Sequence, residues 1–221
     1  MYTGFSVLHD DENLLIVNKR PGFAVIPGRG ISDDIVLVKL IEKQLGVHCF
    51  VVHRIDLETS GIVLFAKNSQ AHRYYSMQFE HREVQKAYLA LVLGTINGDI
   101  VIDSPIRQFG SGRMGVDPSG KPSLTQIKIV ERLQSATLID VNPKTGRRHQ
   151  IRVHCYSIGH PIIGDPLYGK DRPVGGVSRL MLHAYQLRVK DFNSGNERII
   201  TAGVDEQWNE IVCSLQMFGK R

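Results

Sequence analysis

The fold turns on Val52-His53-Arg54-Ile55-Asp56-Leu57-Glu58-Thr59-Ser60-Gly61 and the apolar run after it, Ile62-Val63-Leu64-Phe65-Ala66. A polar segment with a basic pair and an acidic side chain stops at Gly61, and a strand-like run starts at once. Branched and aromatic residues at 62–65 suit a buried strand. A polar loop anchored at the start of such a strand can hold a reactive group still, and Asp56 is the candidate group.

Outward from this stretch the chain alternates strands and helices. Residues 5–9 and 14–18 read as short strands around an Asp10-Asp11-Glu12-Asn13 turn. A helix capped by Asp33 or Asp34 runs to Leu45 and ends at Gly46. Residues 49–52 form a short strand into the Asp56 loop. A helix follows from Asn68 or Ser69 to Glu83, with Tyr74, Tyr75, Met77 and Phe79 read as core. Strands are expected over 85–94, 124–130, 136–141 and near 197–201, and helices over 148–157 and 205–215. Between 97 and 133, Pro and Gly break the chain into loops, where Arg107, Arg113 and Lys121 suggest a basic flap. The result is an α+β fold with a central mixed, mainly antiparallel sheet and flanking helices.

With 221 residues, the chain can form one sizeable core or two lobes sharing a sheet. Its apolar content of 42% and charged content of 22% are those of a soluble protein. It has no apolar run of about 20 residues, as a membrane helix needs, and no secretory signal at its start. Three scattered cysteines, Cys49, Cys155 and Cys213, argue against a disulfide framework and fit a reducing, cytoplasmic setting. Metal-ligand spacing is lacking, so no metal is expected. The net charge is +5, and no acidic residue occurs from Asn142 to Gly164, where Lys144, Arg147, Arg148 and Arg152 lie. That stretch reads equally as a phosphate-facing surface or a solvated loop.

His53-Arg54-Ile55-Asp56-Leu57-Glu58-Thr59-Ser60-Gly61 resembles the active-site motif of the RluA family of RNA pseudouridine synthases, with Ile55 where Leu is usual. Further matches follow in the family's order. Lys86, Tyr88, Ala90, Val92 and Gly94 fit its Lys-x-Tyr-x-Ala-x-Val-x-Gly strand. Thr145-Gly146-Arg147-Arg148-His149-Gln150-Ile151-Arg152-Val153-His154 fits Thr-Gly-Arg-x-His-Gln-Ile-Arg-x-His at every fixed position. Asp165-Pro166-Leu167-Tyr168-Gly169 is also family-like, and Leu182-His183-Ala184 is the closing motif. The first motif departs: Lys19 and Gly22 agree, but Arg20 replaces Pro and Ile26 replaces His. Similarity extends from Leu14 to Val189. The resemblance therefore implies a single catalytic domain over 1–221, without the N-terminal RNA-binding module of some relatives, and with an RNA cleft across the sheet.

The implied reaction isomerises uridine to pseudouridine in ribosomal or transfer RNA. Breaking one glycosidic bond and forming another oxidises nothing, so no cofactor is expected. Asp56 is implied as nucleophile, on C1′ of the ribose or C6 of the base. Arg152 is implied as the cation that keeps a buried carboxylate ionised, and Tyr88 as the ring against the uracil. Ile151 would floor the pocket, Arg54 would fill the gap left by a flipped base, and His53 and Thr59 would brace the loop. Lys19, Lys86 and Arg147 are phosphate-contact candidates, and His149 joins the substrate-binding set. RNA is the expected partner, no membrane is, and a monomer is expected. Two other readings are a non-catalytic RNA binder of this fold and a nucleoside hydrolase. The hydrolase would need a second carboxylate, and Glu58 is the nearby acid.

Overall fold

The computed structural model describes residues 3–110, 112–169, 174 and 177–217. The few residues at either end of the expected 1–221 domain lie outside them. Within that span the chain forms two compact units, each discontinuous in sequence. The first comprises Met1–Gln85 and Ala184–Gly203, the second Lys86–His183 and Val204–Arg221. Among the described residues no helix is long and apolar enough to cross a membrane.

In chain order the elements begin with β1 (Phe5–Asp10), β2 (Leu14–Lys19), α1 (Leu37–Leu45), β3 (Phe50–Val51), β4 (Ser60–Ala66) and α2 (Ser69–Glu80). There follow β5 (Gln85–Leu93), β6 (Ile100–Asp103), β7 (Ile106–Gln108), β8 (Met114–Val116), β9 (Leu124–Arg132) and β10 (Ala136–Pro143). The chain then forms α3 (Gln150–Ser157), β11 (Leu182–Lys190), β12 (Glu197–Thr201) and α4 (Glu206–Met217). This is the expected α+β class.

In the first unit the hydrogen-bonded order is β1-β2-β4-β11, with β3 also on β4 and β12 on β11. All seven residues of β4 are buried. Side chains alternate across a strand, so the continuous apolar run serves two faces at once. Ile62, Leu64 and Ala66 pack with Ala71 and Tyr75 of α2 and with Leu187 and Val189 of β11. Val63 and Phe65 pack on the other side, with Leu37, Leu40 and Ile41 of α1.

Ends of elements follow local chemistry. Asp11 Oδ1 accepts the N–H groups of Asn13 (2.8 Å) and Leu14 (2.7 Å), which shapes the β1–β2 turn. Asn68 Oδ1 accepts Ala71 N–H at 2.9 Å and caps α2. Gly46, at φ 68°, closes α1. The start of α1 differs from expectation. Asp33–Ile35 make one 3-10 turn and Val36 is extended, because Ala24 receives a main-chain bond from Leu37 N–H (2.7 Å) and gives one to Ile35 O (2.9 Å). Pairing with Ala24 outcompetes continuation of a helix through Val36.

In the second unit the order is β5-β10-β9-β6. Ala90 and Val92 of β5, Ile139 and Val141 of β10, Ile151 and Cys155 of α3, and Trp208 and Ile211 of α4 share one core. Strands β7 and β8 make a separate antiparallel hairpin, the segment read as a flap. It packs on α3 through Ile106, Met114, Val153 and Tyr168.

Gly61 shows why the Asp56 stretch ends as it does. Its φ is 117°, and a Cβ placed there would lie 2.6 Å from the Ala184 nitrogen and closer still to the Ala184 carbonyl oxygen. The backbone of β11 occupies the space a side chain would need. Gly61→Ala is expected to destabilise the fold by about 3 kcal/mol or more, combining overpacking with backbone strain. Gly46→Ala, whose Cβ meets nothing within 4 Å, should cost only about 1 kcal/mol. Urea unfolding midpoints of the two variants check this ranking.

Candidate active site

In the first unit, the loop between β3 and β4 presents a half-buried Asp56 beside an exposed Arg54. Thr59 N–H donates to Asp56 O at 3.2 Å and closes a turn around Leu57 and Glu58. The Leu57 carbonyl is held from outside by Gly22 N–H at 2.9 Å and by Lys19 Nζ at 3.0 Å. Lys19 Nζ also donates to Phe23 O (2.7 Å) and Arg20 O (3.0 Å).

This corrects the reading of Lys19. It is fully buried, so it is neither a phosphate contact nor a surface charge. It is a peg joining the loop after β2 to the Asp56 loop. The departure at Arg20 leaves this role intact, because Lys19 binds main-chain carbonyls and asks nothing of the neighbouring side chain.

His53 sets the other end of the loop. Its Nε2 accepts Leu64 N–H from β4 at 3.0 Å, so in the neutral ring Nδ1 carries the proton. The ring stacks on Phe79 of α2, with centroids 4.5 Å apart and planes at 15°. Thr59 is buried, and its Oγ1 has no hydrogen-bond partner among the described residues.

In the second unit, Tyr88 is half-buried on β5 opposite Val141. Lys86 reaches across Gly146 to the Thr145 carbonyl at 3.5 Å. Arg147 Nε donates to Pro122 O at 3.2 Å. The helix expected from Arg148 begins at Gln150, because His149 takes a left-handed conformation, φ 55° and ψ 20°.

That kink aims the Gln150 side chain back at the loop. Gln150 Oε1 accepts the Thr145 hydroxyl (2.6 Å) and Arg147 N–H (3.0 Å). Gln150 Nε2 donates to Leu124 O (3.0 Å) and Thr125 Oγ1 (2.9 Å). The Thr125 hydroxyl lies 2.8 Å from His154 Nδ1, and His154 Nε2–H donates to Ser104 O at 2.9 Å. Both amide groups of Gln150 and both ring nitrogens of His154 are therefore engaged. Burial pushes the His154 pKa below its usual value, although the bond to Ser104 works the other way.

The network delivers Arg152. Its side chain is fully buried and grips Asp165 with two parallel bonds, Nε to Oδ2 at 2.8 Å and Nη2 to Oδ1 at 2.9 Å. Burial alone would raise the Asp165 pKa. The Arg152 guanidinium and the N–H groups of Tyr168 and Leu167 outweigh that and hold the carboxyl below its ordinary range. The guanidinium also lies over the Tyr168 ring at 5.4 Å. Tyr168 OH accepts Met114 N–H at 3.2 Å and meets His149 Nδ1 at 3.0 Å. Ile151 is buried in the core of this unit. Among the described residues, no three His, Cys, Asp or Glu side chains gather as metal ligands would.

The structure thus gathers Asp56, Arg54, His53, Thr59 and Lys19 in one unit, and Tyr88, Lys86, Arg147, His149, Ile151 and Arg152 in the other. The sequence pattern of the RNA pseudouridylate synthases matches residues 13–157. The chain belongs to this family. Family members isomerise uridine to pseudouridine, and this chain is such an isomerase. It is 37% identical to the ribosomal large subunit pseudouridine synthase C of Vibrio vulnificus over 217 residues, 95% of this chain and 69% of that protein. It is 33% identical to the tRNA pseudouridine synthase C of Salmonella typhi, covering 97% and 90%. Among solved structures, human RNA pseudouridylate synthase domain containing 1 superposes with a TM-score of 0.79 at 29% identity, over 97% and 96% of the two chains.

Sequence reasoning put Phe79 in the core and Asp165 and Tyr168 in a family-like segment, and gave none of the three a place in the site. A signal for Asp165 existed: an arginine inside a helix with apolar neighbours must find a carboxylate if it is buried. Asp165→Asn should lower stability by about 3–5 kcal/mol, by leaving a buried guanidinium underpaired, measured as a drop in the urea midpoint. For His154, the folded state binds fewer protons than the unfolded chain. Its contribution to stability is complete above about pH 6.5 and is lost as pH falls below that. The wild-type unfolding midpoint should therefore fall more between pH 7 and pH 5 than that of His154→Asn, which starts lower.

Proposed function

We propose that this enzyme acts on uridines of ribosomal or transfer RNA, with Asp56 as the nucleophile. The observation that carries this is the immobilised Asp56 loop. Its carbonyl at Leu57 is held by a buried ammonium, its His53 is locked between β4 and α2, and its Gly61 is fixed against β11. A carboxylate carried on a loop held this firmly meets the positional demand of nucleophilic catalysis. The relatives' names supply the RNA classes, since both ribosomal and transfer RNA enzymes are among them.

Each remaining residue has a role in this reading. Tyr88 supports the uracil face, and Arg152 is the cation of this reading, a positive charge that favours an ionised carboxylate. The exposed Arg54 takes the position vacated by the flipped base. The buried Thr59 hydroxyl, which has no partner among the described residues, is offered to the substrate, since buried polar groups are rarely left unpaired. Lys86 and Arg147, each bonded to a main-chain carbonyl, are the phosphate-contact residues of this reading. Ile151 stiffens the wall from behind.

The test is tritium release from RNA labelled at uridine C5, with ribosomal and transfer RNA supplied separately. Wild type should release tritium from at least one pool. Asp56→Ala and Asp56→Asn should slow release by at least about 10³-fold while still binding RNA. Equal release by the variants would remove Asp56 from the chemistry. Binding with no release from either pool would leave a non-catalytic RNA binder.

A further inference from the structure

Between the β7–β8 hairpin and α3 lies an open cavity of about 450 Å³, within the second unit. Its inner wall is Val153, Met114 and the Tyr168 ring, and its rim carries Phe109, Arg113 and Tyr156. Phe109 is 39% exposed and Tyr156 48% exposed, so both rings face solvent beside the buried Ile106, Val153 and Tyr168 cluster. The Arg113 guanidinium lies over the Tyr156 ring at 5.4 Å and the Tyr168 ring at 5.0 Å. The Arg107 guanidinium covers Phe109 at 4.8 Å.

The charge of the walls is one-sided. From Ser104 to Pro122 there are three cations, Arg107, Arg113 and Lys121, against a single acid, Asp117, and Asp117 is tied to Arg107 at 3.0 Å. The other wall is α3, within the acid-free stretch from Asn142 to Gly164. Exposed aromatic rings flanked by cations on an acid-poor surface suit a ligand that is both flat and anionic. The volume is in the range of about 300–1,000 Å³ that small-molecule sites occupy.

We propose that this groove binds one unstacked nucleotide of the substrate RNA, other than the uridine that reacts. Its base stacks on Tyr156 and Phe109, and its phosphate meets Arg113. The site explains how a compact catalytic chain gains RNA affinity away from Asp56: single-stranded RNA is held by aromatic stacking inside a cationic groove. It rests on the RNA-modifying reading above, but its residues are separate from those assigned to the reaction.

The probe is a fluorescent oligouridylate of five nucleotides, followed by anisotropy, alongside tritium release from the active RNA pool. Tyr156→Ala and Phe109→Ala, both at exposed rings, should each weaken oligonucleotide binding by about tenfold, and Tyr156→Phe should bind as wild type does. In turnover the two alanine variants should raise KM by a similar factor, with kcat carrying little of the change. Wild-type affinity and KM in both alanine variants would overturn the proposal, and would leave an acidic protein segment as the occupant to look for. The two readings fail separately. Loss of binding in the variants, with no turnover by wild type, would sustain the groove and sink the assigned chemistry. Normal turnover with unchanged binding would do the reverse.

Discussion

A cation sealed away from solvent must find its acceptors inside the fold, and much of this structure is arranged around that demand. Lys19 finds three carbonyls, those of Arg20, Phe23 and Leu57. Hydrogen bonds to charged groups are worth about 1.5–3 kcal/mol each, and a buried ammonium without them would cost several kcal/mol. The carbonyls are therefore not free to drift. Because Leu57 follows Asp56, the same electrostatic requirement that keeps Lys19 satisfied also fixes the main chain beside the Asp56 carboxylate. These polar bonds add to the packing of Val52 and Ile55 on the two cores beside β4.

Arg152 repeats the principle with different geometry. An ammonium on a flexible stem can gather scattered carbonyls, whereas a planar guanidinium needs a matching planar partner. Asp165 provides it, oriented by the N–H groups of Leu167 and Tyr168 at 2.8 and 3.0 Å. The main chain thus orients the carboxylate, and the carboxylate orients the guanidinium. On the opposite flank, Gln150 and His154 tie the start and middle of α3 to Leu124, Thr125 and Ser104. Every donor and acceptor in that chain must be satisfied together, so one lost partner costs more than one bond.

Most of the fold was legible in the sequence. The β4 run and the β5, β9 and β10 patterns carried enough branched apolar residues to be read as strands. What failed did so for identifiable reasons. Strand β11 went unread because Tyr185, Gln186 and Arg188 break up its apolar positions, and because Leu182-His183-Ala184 drew attention as a motif rather than as backbone. Charge alone could not tell the buried Lys19 from a surface lysine, since its acceptors are carbonyls and carbonyls have no sequence signature. The left-handed His149 is equally silent, as even the residue types enriched in that region adopt it rarely, and the bonds of Gln150 compensate the strain. The motif residues themselves were identified from a resemblance. Which of them touch solvent, and which brace others, is a property of packing.

That separation has a consequence for how RNA is recognised. The residues that hold the Asp56 loop and Arg152 are buried and spent on internal partners: Lys19, His53, Gln150, His154 and Asp165 use their polar atoms within the protein. A group committed in this way cannot also read a substrate without giving up the bonds that hold it. In the proposed reading, discrimination among RNAs falls to side chains that remain exposed, such as Arg54 on the Asp56 loop and Phe109 and Tyr156 by the hairpin groove. Exposed side chains can change at small cost to stability, whereas the buried set is interlocked. Relatives that share the chemistry but differ in the RNA they modify are the expected outcome of that arrangement. The large-subunit ribosomal RNA and transfer RNA enzymes similar to this chain are named as such relatives.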